Sequence, residues 1–307
     1  MGAAFVAARR QVTGKRPDMA ALGLATHPYR GQWAAIATMH GKDRAIAPHF
    51  CRWFGMTVTT APGIDTDALG TFSGEIERTG TMVDAARAKA LLAIERTGAH
   101  IGIGSEGAFG PHPYVPFLAS GQEVLLLREA NSGHEIIVHR RSQTNFAHVI
   151  LSSFDDPLSF LGDVGFPEHA VIVRPGDPTD RSVLAKGLRD LEAVQTAVQE
   201  VAQRSSAGKV MLQTDMRAHL NPTRMDSIGR TAKLLAVRTA RCCPACGATG
   251  FGITDVARGL PCGDCGLPTE LIRAEIHGCK PCGHTTRRFE RSGRMRAEAR
   301  WCQYCNP

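Results

Sequence analysis

Eight cysteines toward the carboxyl end of the chain come as four Cys-x2-Cys pairs: Cys243 and Cys246, Cys262 and Cys265, Cys279 and Cys282, Cys302 and Cys305. Thiolates are soft ligands, and two of them on one tight turn can grip a single metal ion. Fifteen residues separate the first two pairs and nineteen the last two, which are the spacings of four-thiolate zinc sites. Glycine follows the second cysteine in three pairs (Cys-Pro-Ala-Cys-Gly, Cys-Gly-Asp-Cys-Gly, Cys-Lys-Pro-Cys-Gly), where backbone amides can then approach the sulfurs. The spacing predicts two zinc ions, each with its four positions filled and therefore structural rather than catalytic. Each adjacent set of pairs fits one site; cross-braced pairing of the four stays open as the alternative, because spacing specifies ligands better than partners. Cys242 is a spare, and His277 and His284 are not assigned as ligands. Cys51, inside a predicted helix, reads as a small core residue. Nine of the ten cysteines lie beyond residue 241, and no secretory signal precedes them, which points to metal rather than disulfides.

A second kind of chemistry is offered by Thr38, His40 and Lys42. The apolar run Trp33 to Ala37 reads as a buried strand, and Ala45, Ile46, His49, Phe50, Trp53 and Phe54 recur at helical spacing. The three polar residues thus stand where a strand hands over to a helix. Amides at a helix start attract anions, and a lysine there adds full charge. The stretch from Asp215 to Arg224 repeats the arrangement, with Arg217 and Arg224 beside a helix opened by Asn221-Pro222. Arg217 and Arg224 either hold a phosphate or pair with acidic groups of the chain itself. Between Cys282 and Cys302, six arginines (287, 288, 291, 294, 296 and 300) face only Glu290 and Glu298 beside Phe289 and Trp301. That patch suits RNA or DNA, or else is a solvated hairpin.

The elements that must position these residues alternate. Strands are expected at Trp33–Ala37, at 56–60 and at 100–104. Thr81-Met-Val-Asp84 fits a capping box for a helix with Val83, Ala86, Ala90 and Ile94 on one face. Glu123 to Arg128 and Glu135 to Arg140 form a hairpin about Asn131-Ser-Gly133. Beyond residue 150 the pattern predicts a short helix over 156–164, a strand over 169–174, a long helix over 181–204, a strand over 209–214 and a helix from Asn221 to about Val237. The fold class is therefore α/β, a mixed sheet with flanking helices, followed by a tandem zinc-ribbon tail. The expected organisation is a loose extension over 1–25, an α/β domain over 26–240 with a break near 150, and the zinc-ribbon region over 241–307. With 307 residues, 43% of them hydrophobic, a sizeable core can form. A net charge of +7 permits a nucleic-acid or phosphate partner without demanding one. No run of 18 apolar residues exists, so no membrane span is expected, and the expected location is the cytoplasm.

Several stretches together carry a resemblance. They are His40-Gly-Lys42, Gly70-Thr-Phe-Ser-Gly-Glu-Ile-Glu-Arg78, Ser105-Glu-Gly-Ala-Phe-Gly-Pro-His-Pro113, Thr144-Asn-Phe146, Gly165-Phe-Pro-Glu-His169, Thr214-Asp-Met-Arg-Ala218, Asn221-Pro-Thr-Arg224, Gly259-Leu-Pro-Cys-Gly-Asp-Cys-Gly-Leu-Pro-Thr269 and Cys302-Gln-Tyr-Cys-Asn-Pro307. With these the chain resembles the bacterial family catalogued as domain of unknown function 6671, which implies no activity. More remotely, residues 33–110 are similar to the first half of the inosine/xanthosine triphosphate pyrophosphatases and their Maf-like relatives. That likeness implies a triphosphate loop at Ala37-Thr-Met-His-Gly-Lys42, with His40 where asparagine is usual. It implies a phosphate-facing helix at Ala86-Arg-Ala-Lys-Ala90, carrying Arg87 and Lys89. It also implies a magnesium-binding turn at Gly104-Ser-Glu-Gly107, with one carboxylate where many members have two aspartates.

On this reading the chain is a magnesium-dependent nucleotide phosphohydrolase. Lys42 neutralises phosphate, Glu106 holds magnesium, and Glu75 or Glu77 supplies a second ligand or the base that orients water. Lys42 and Glu106 are expected to share one cleft at the carboxyl ends of neighbouring strands. The alternatives are a zinc-ribbon nucleic-acid-binding protein without turnover, or a scaffold whose ribbons stabilise the fold and bind protein.

Overall fold

The computed structural model describes residues 26–65, 80–152, 155–177, 180, 182, 185–205, 207–289 and 293–306. The expected extension over 1–25 and the stretch carrying Glu75 and Glu77 lie outside the described residues.

The first sheet is built from β1 (Trp33–Ile36), β2 (Thr57–Thr60), β3 (Ile101–His112), β4 (Val115–Glu129) and β5 (Glu135–Gln143). Its order is β2-β1-β3-β4-β5, with β1, β2 and β3 parallel and β4 and β5 added antiparallel. Helix α1 (Asp43–Phe54) links β1 outward to β2, and α2 (Met82–Thr97) leads back across to β3 on the opposite face. The expected capping box opens α2, with Thr81 and Asp84 exchanging side-chain and backbone bonds. One face of the sheet buries Ile36, Ile103, Leu125 and Leu127 against Ile46, Phe50 and Phe54 of α1. The other packs Val124 and Leu126 against Ala86 and Ala90 of α2. Small residues let α2 lie almost on the backbone of β3. A Cβ on Gly104 would fall 1.8 Å from the Ala86 carbonyl oxygen, and one on Gly102 would fall 2.1 Å from that of Ala90.

A second sheet, all antiparallel, contains β6 (His148–Ser152), β7 (Val171–Pro175), β8 (Ala185–Leu188) and β9 (Lys209–Thr214) in the order β6-β9-β7-β8. Helices α3 (Leu158–Asp163) and α4 (Leu191–Arg204) bury Leu161, Val194, Val198 and Val201 against its Val171, Val173, Val210 and Leu212. The chain then returns. Helix α5 (Pro222–Thr239), entered through a 3-10 turn at Ala218–Leu220, packs beside α1 on the first sheet. Asn221 caps it by accepting from the Arg224 amide, with proline in the first turn.

Three expectations are corrected. The helix expected over 181–204 begins at Leu191, where Asp190 caps it; before it, β8 pairs with β7 and Gly187 takes φ +78°, which a helix cannot continue through. The strand expected to end at Gly104 runs on to His112, because β4 pairs with it along its whole length. Cys51 is exposed rather than in the core, on the flank of α1, with its thiol donating to the Met56 carbonyl.

Candidate functional site

The tail is an antiparallel meander of β10 (Gly252–Arg258), β11 (Ile272–Gly278) and β12 (Thr285–Phe289). Cysteine pairs precede β10 and follow each strand in turn. Alternating strand direction therefore carries the first and third pairs to one end of the sheet and the second and fourth to the other. The result is two cross-braced quartets, Cys243/Cys246/Cys279/Cys282 and Cys262/Cys265/Cys302/Cys305, with ligand atoms all within 4.8 Å of one another. Pairing of adjacent sets is excluded by this geometry. Gly247, Gly266 and Gly283 take φ of 75°, 75° and 71°, and each donates its amide to the first cysteine's carbonyl, closing the knuckle. Asn306 donates to Cys302 in the fourth.

The quartets fit zinc. Four sulfurs at about 2.3 Å from a tetrahedral ion stand about 3.8 Å apart. Sulfurs facing one another across each quartet stand 3.8 Å (Cys243–Cys282), 3.6 Å (Cys246–Cys279), 3.9 Å (Cys262–Cys305) and 3.6 Å (Cys265–Cys302) apart. The Cys305 amide, its largest influence, holds the Cys302 thiol at about 7, while contact with Cys265 first and burial second push Cys305 up to about 12. Four such thiols ionise together only around a cation. Cys242 stands outside both quartets, and His277 is turned to Glu275, 3.0 Å away.

Of the α/β candidates, Thr38, Lys42, Lys89, Glu106 and Arg224 gather near the carboxyl end of β1. There α1 leaves one face of the sheet and α2 returns on the other, so a crevice opens between β1 and β3 of the kind in which open α/β sheets bind ligands. What fills it is protein. The Thr38 hydroxyl accepts from the amides of His40 (3.2 Å) and Lys42 (3.4 Å), which turns those two donors inward rather than toward an anion. The Lys42 ammonium, 4% exposed, lies 3.2 Å from the Ser105 carbonyl and 3.5 Å from its hydroxyl. Loss of hydration first, then Arg224 and Lys89, bring this amine down to about 7.

Glu106 is not in a turn. It sits inside β3, 3% exposed, and ion-pairs with Lys89 of α2 at 2.5 Å. Side chains alternate along a strand. Glu106 therefore shares the α2 face with Gly102 and Gly104, while Ser105 shares the α1 face with Ile101 and Ile103. The Glu106 side chain therefore leaves β3 toward α2, while the Lys42 ammonium lies against the β3 backbone at Ser105, near enough for the charges of Lys89 and Glu106 to act on it. Arg87 is taken by Glu135 (2.7 Å) and Asp84 (2.8 Å). Arg217 grips Asp215 at 2.5 Å. Arg224, 1% exposed, pairs with Glu123 at 2.9 Å, bonds the Met216 carbonyl and covers the Phe109 ring at 5.0 Å. Of the two readings of Arg217 and Arg224, pairing within the chain is the one observed.

Glu123 was invisible in the sequence because nothing about one acid in an apolar strand announces an arginine a hundred residues later. Also missed was a cleft of about 1830 Å³ between α1, α5 and the 3-10 turn. It had a signal: Arg44 and Arg52 eight apart on α1, and Asp226 and Arg230 four apart on α5, are the spacings of a helix face. Among the described residues no other group of three or more histidines, cysteines and acids gathers as the quartets do, and no helix is long and apolar enough to cross a membrane.

Compared with known families, residues 89–307 match the family described as Domain of unknown function (DUF6671). No curated protein and no solved structure matches the chain.

Proposed function

The chain belongs to the DUF6671 family, whose description carries no activity, and from its own residues we propose that it is a zinc-ribbon protein that binds nucleic acid without turning it over. One observation carries this reading: the surface around the second quartet combines cations with exposed rings. Between Cys282 and Cys302 the described residues include Arg287, Arg288, Arg294, Arg296 and Arg300, all exposed, against a single acid, Glu298. Phe289, Trp301 and Tyr304 are 62%, 50% and 75% exposed, and the Arg300 guanidinium lies 5.6 Å from the Trp301 ring. Arginines neutralise phosphates and rings stack on bases, while the zinc quartets would hold both on a rigid meander.

A magnesium-dependent phosphohydrolase is favoured less. Its proposed metal ligand, Glu106, is neutralised by Lys89 in a buried pair, and its proposed phosphate contacts Arg87, Arg217 and Arg224 are each paired with a carboxylate.

The test is fluorescence anisotropy of the zinc-loaded chain with a labelled 20-nucleotide RNA across a salt series. Affinity should fall steeply with salt, and reversing Arg287, Arg294 and Arg300 to Glu should weaken it at least tenfold and flatten the slope. Absence of binding at low salt, or binding indifferent to salt, would overturn the reading. Magnesium-dependent phosphate release from a nucleoside triphosphate, lost in Glu106→Gln, would restore the hydrolase.

A further inference from the structure

The cleft between α1 and α5 is lined by Arg44, Arg52, Arg189, Arg230 and Lys233, against one acid, Asp226. Arg44, Arg189, Arg230 and Lys233 are exposed, and Asp226 is already engaged by Arg230 at 2.7 Å. Like charges gathered from two helices and a loop of the second sheet into one cleft give it a positive potential that attracts a polyanion. The local field is visible at His49 in the cleft wall: burial first, then Lys233 and Arg52, hold its imidazole below the ordinary histidine range.

Rings stand at both ends. At one, the exposed His219 ring stacks on the buried His40 ring, with centroids 4.9 Å apart and planes 22° apart. At the other is Trp53, which also lines a neighbouring pocket of about 540 Å³ together with Arg241, His277 and Arg288 of the tail. Trp53 thus borders both the cationic cleft and the pocket that carries Arg288 of the zinc meander. Helix α1, of 12 residues, gives the cleft a length of about 18 Å.

We propose that this cleft is a binding track for the backbone of a single-stranded nucleic acid, leading from the His40–His219 pair past Trp53 onto the zinc tail. The proposal rests on the nucleic-acid reading above and adds to it a second binding surface and a strand type. A duplex keeps its bases stacked inside and offers them to no ring; a single strand can use the cations and the rings together. Such a track also requires length: a strand must be long enough to reach both the cleft and the tail.

The experiment compares 6- and 20-nucleotide RNAs and a 20-base-pair duplex by anisotropy, using the full zinc-loaded chain and two variants. One reverses the cleft (Arg44→Glu, Arg230→Glu, Lys233→Glu) and the other the tail (Arg287→Glu, Arg294→Glu, Arg300→Glu). The unaltered chain should bind the 20-mer at least tenfold more tightly than the 6-mer. Cleft reversal should remove that advantage and lower the log–log salt slope by about two, at about 0.7 for each phosphate no longer neutralised, with the melting temperature unmoved. Photocrosslinking of a thiouridine-substituted 20-mer to the unaltered chain should mark the peptide containing Trp53. A cleft variant that binds the 20-mer like the unaltered chain, while the tail variant is impaired, overturns the track and leaves the nucleic-acid reading standing. Equal affinity for duplex and strand, equally reduced by cleft reversal, overturns the single-strand assignment. No binding by any form overturns both.

Discussion

The zinc tail and the β1–β3 crevice both gather ionisable groups at close quarters, and they do so in opposite ways. In the tail, each quartet brings together four ligands of one kind with no counter-charge among them. In the crevice, Glu106 meets Lys89 and Glu123 meets Arg224, at side-chain exposures of 7% or less. A group of like ligands is incomplete and calls for a cation from outside; a group of opposite charges completes itself and leaves a ligand little to do. Charge balance within the cluster, more than position in the fold, separates the two. The crevice lies where α/β sheets commonly bind ligands, yet four of its charges are spent on one another in two pairs, and burial holds the fifth, Lys42, toward neutrality. The α1–α5 cleft resembles the tail in this respect, since its cations outnumber its acids.

The largest expected effect breaks the tail. Purified chain should carry two zinc ions, and Cys243→Ser and Cys279→Ser should each lose the same one, while Cys262→Ser and Cys302→Ser lose the other. Mass spectrometry of the intact chain under native conditions reads this directly. Loss of the same ion from Cys243→Ser and Cys262→Ser would contradict the cross-brace. Because binding and folding of such sites are coupled, with about 10–16 kcal/mol of apparent binding energy per structural zinc, each loss should also expose its end of the meander to protease.

The next effect breaks the crevice's internal balance. Glu123→Gln leaves Arg224 buried beside a neutral partner and should destabilise the chain by about 3–5 kcal/mol in urea unfolding. Replacing both residues, Glu123→Leu with Arg224→Met, should cost much less, because no charge is then stranded. Equal losses from the single and double changes would mean that packing, not charge pairing, holds this region.

The smallest effect sharpens the comparison through pH. The Lys42 amine is held at about 7 in the fold, against an ordinary value of 10.5. Between these values the unfolded chain binds the additional proton, so stability should rise with pH from about 7 toward about 10 and be lowest below 7. Lys42→Met should melt a few degrees higher than the unaltered chain at pH 6.5, with the gap narrowing steadily above pH 7 and closing only as the pH approaches the unfolded value of 10.5. A gap independent of pH would assign the titration to another group. Lys42 is thus tied to stability, and its removal is not a neutral probe of activity.

The legible parts of the molecule were those written in local spacing. The four knuckles, the Thr81–Asp84 capping box, the Asn221-Pro222 helix start and the 131–133 hairpin each occupy a few consecutive residues whose chemistry is self-contained. The partners were not legible. Whether Cys243 belongs with Cys262 or with Cys279 depends on how many strands intervene, and Lys89 with Glu106 or Arg224 with Glu123 depends on which strands lie side by side. Glu106 was misplaced because Gly104 and Gly107 look like a turn. Both glycines in fact serve close packing: Gly104 admits the α2 backbone, and a Cβ on Gly107 would come within 3.0 Å of Arg224 and Glu123.

Cross-bracing also sets an order of events in synthesis. Ligands of one quartet lie 33 residues apart across the Cys246–Cys279 contact, and those of the other lie 37 apart across Cys265–Cys302. A chain emerging from its amino end presents Cys243, Cys246, Cys262 and Cys265 before Cys279 exists. Those four thiols, only fifteen residues apart between pairs, can themselves enclose a metal ion. An ion captured at that moment holds β10 as the side of a closed loop and denies β11 its partner. Reaching the native quartets then requires thiolates to pass from one ion to another, so zinc supplied late favours the correct tail, and zinc supplied early competes with it.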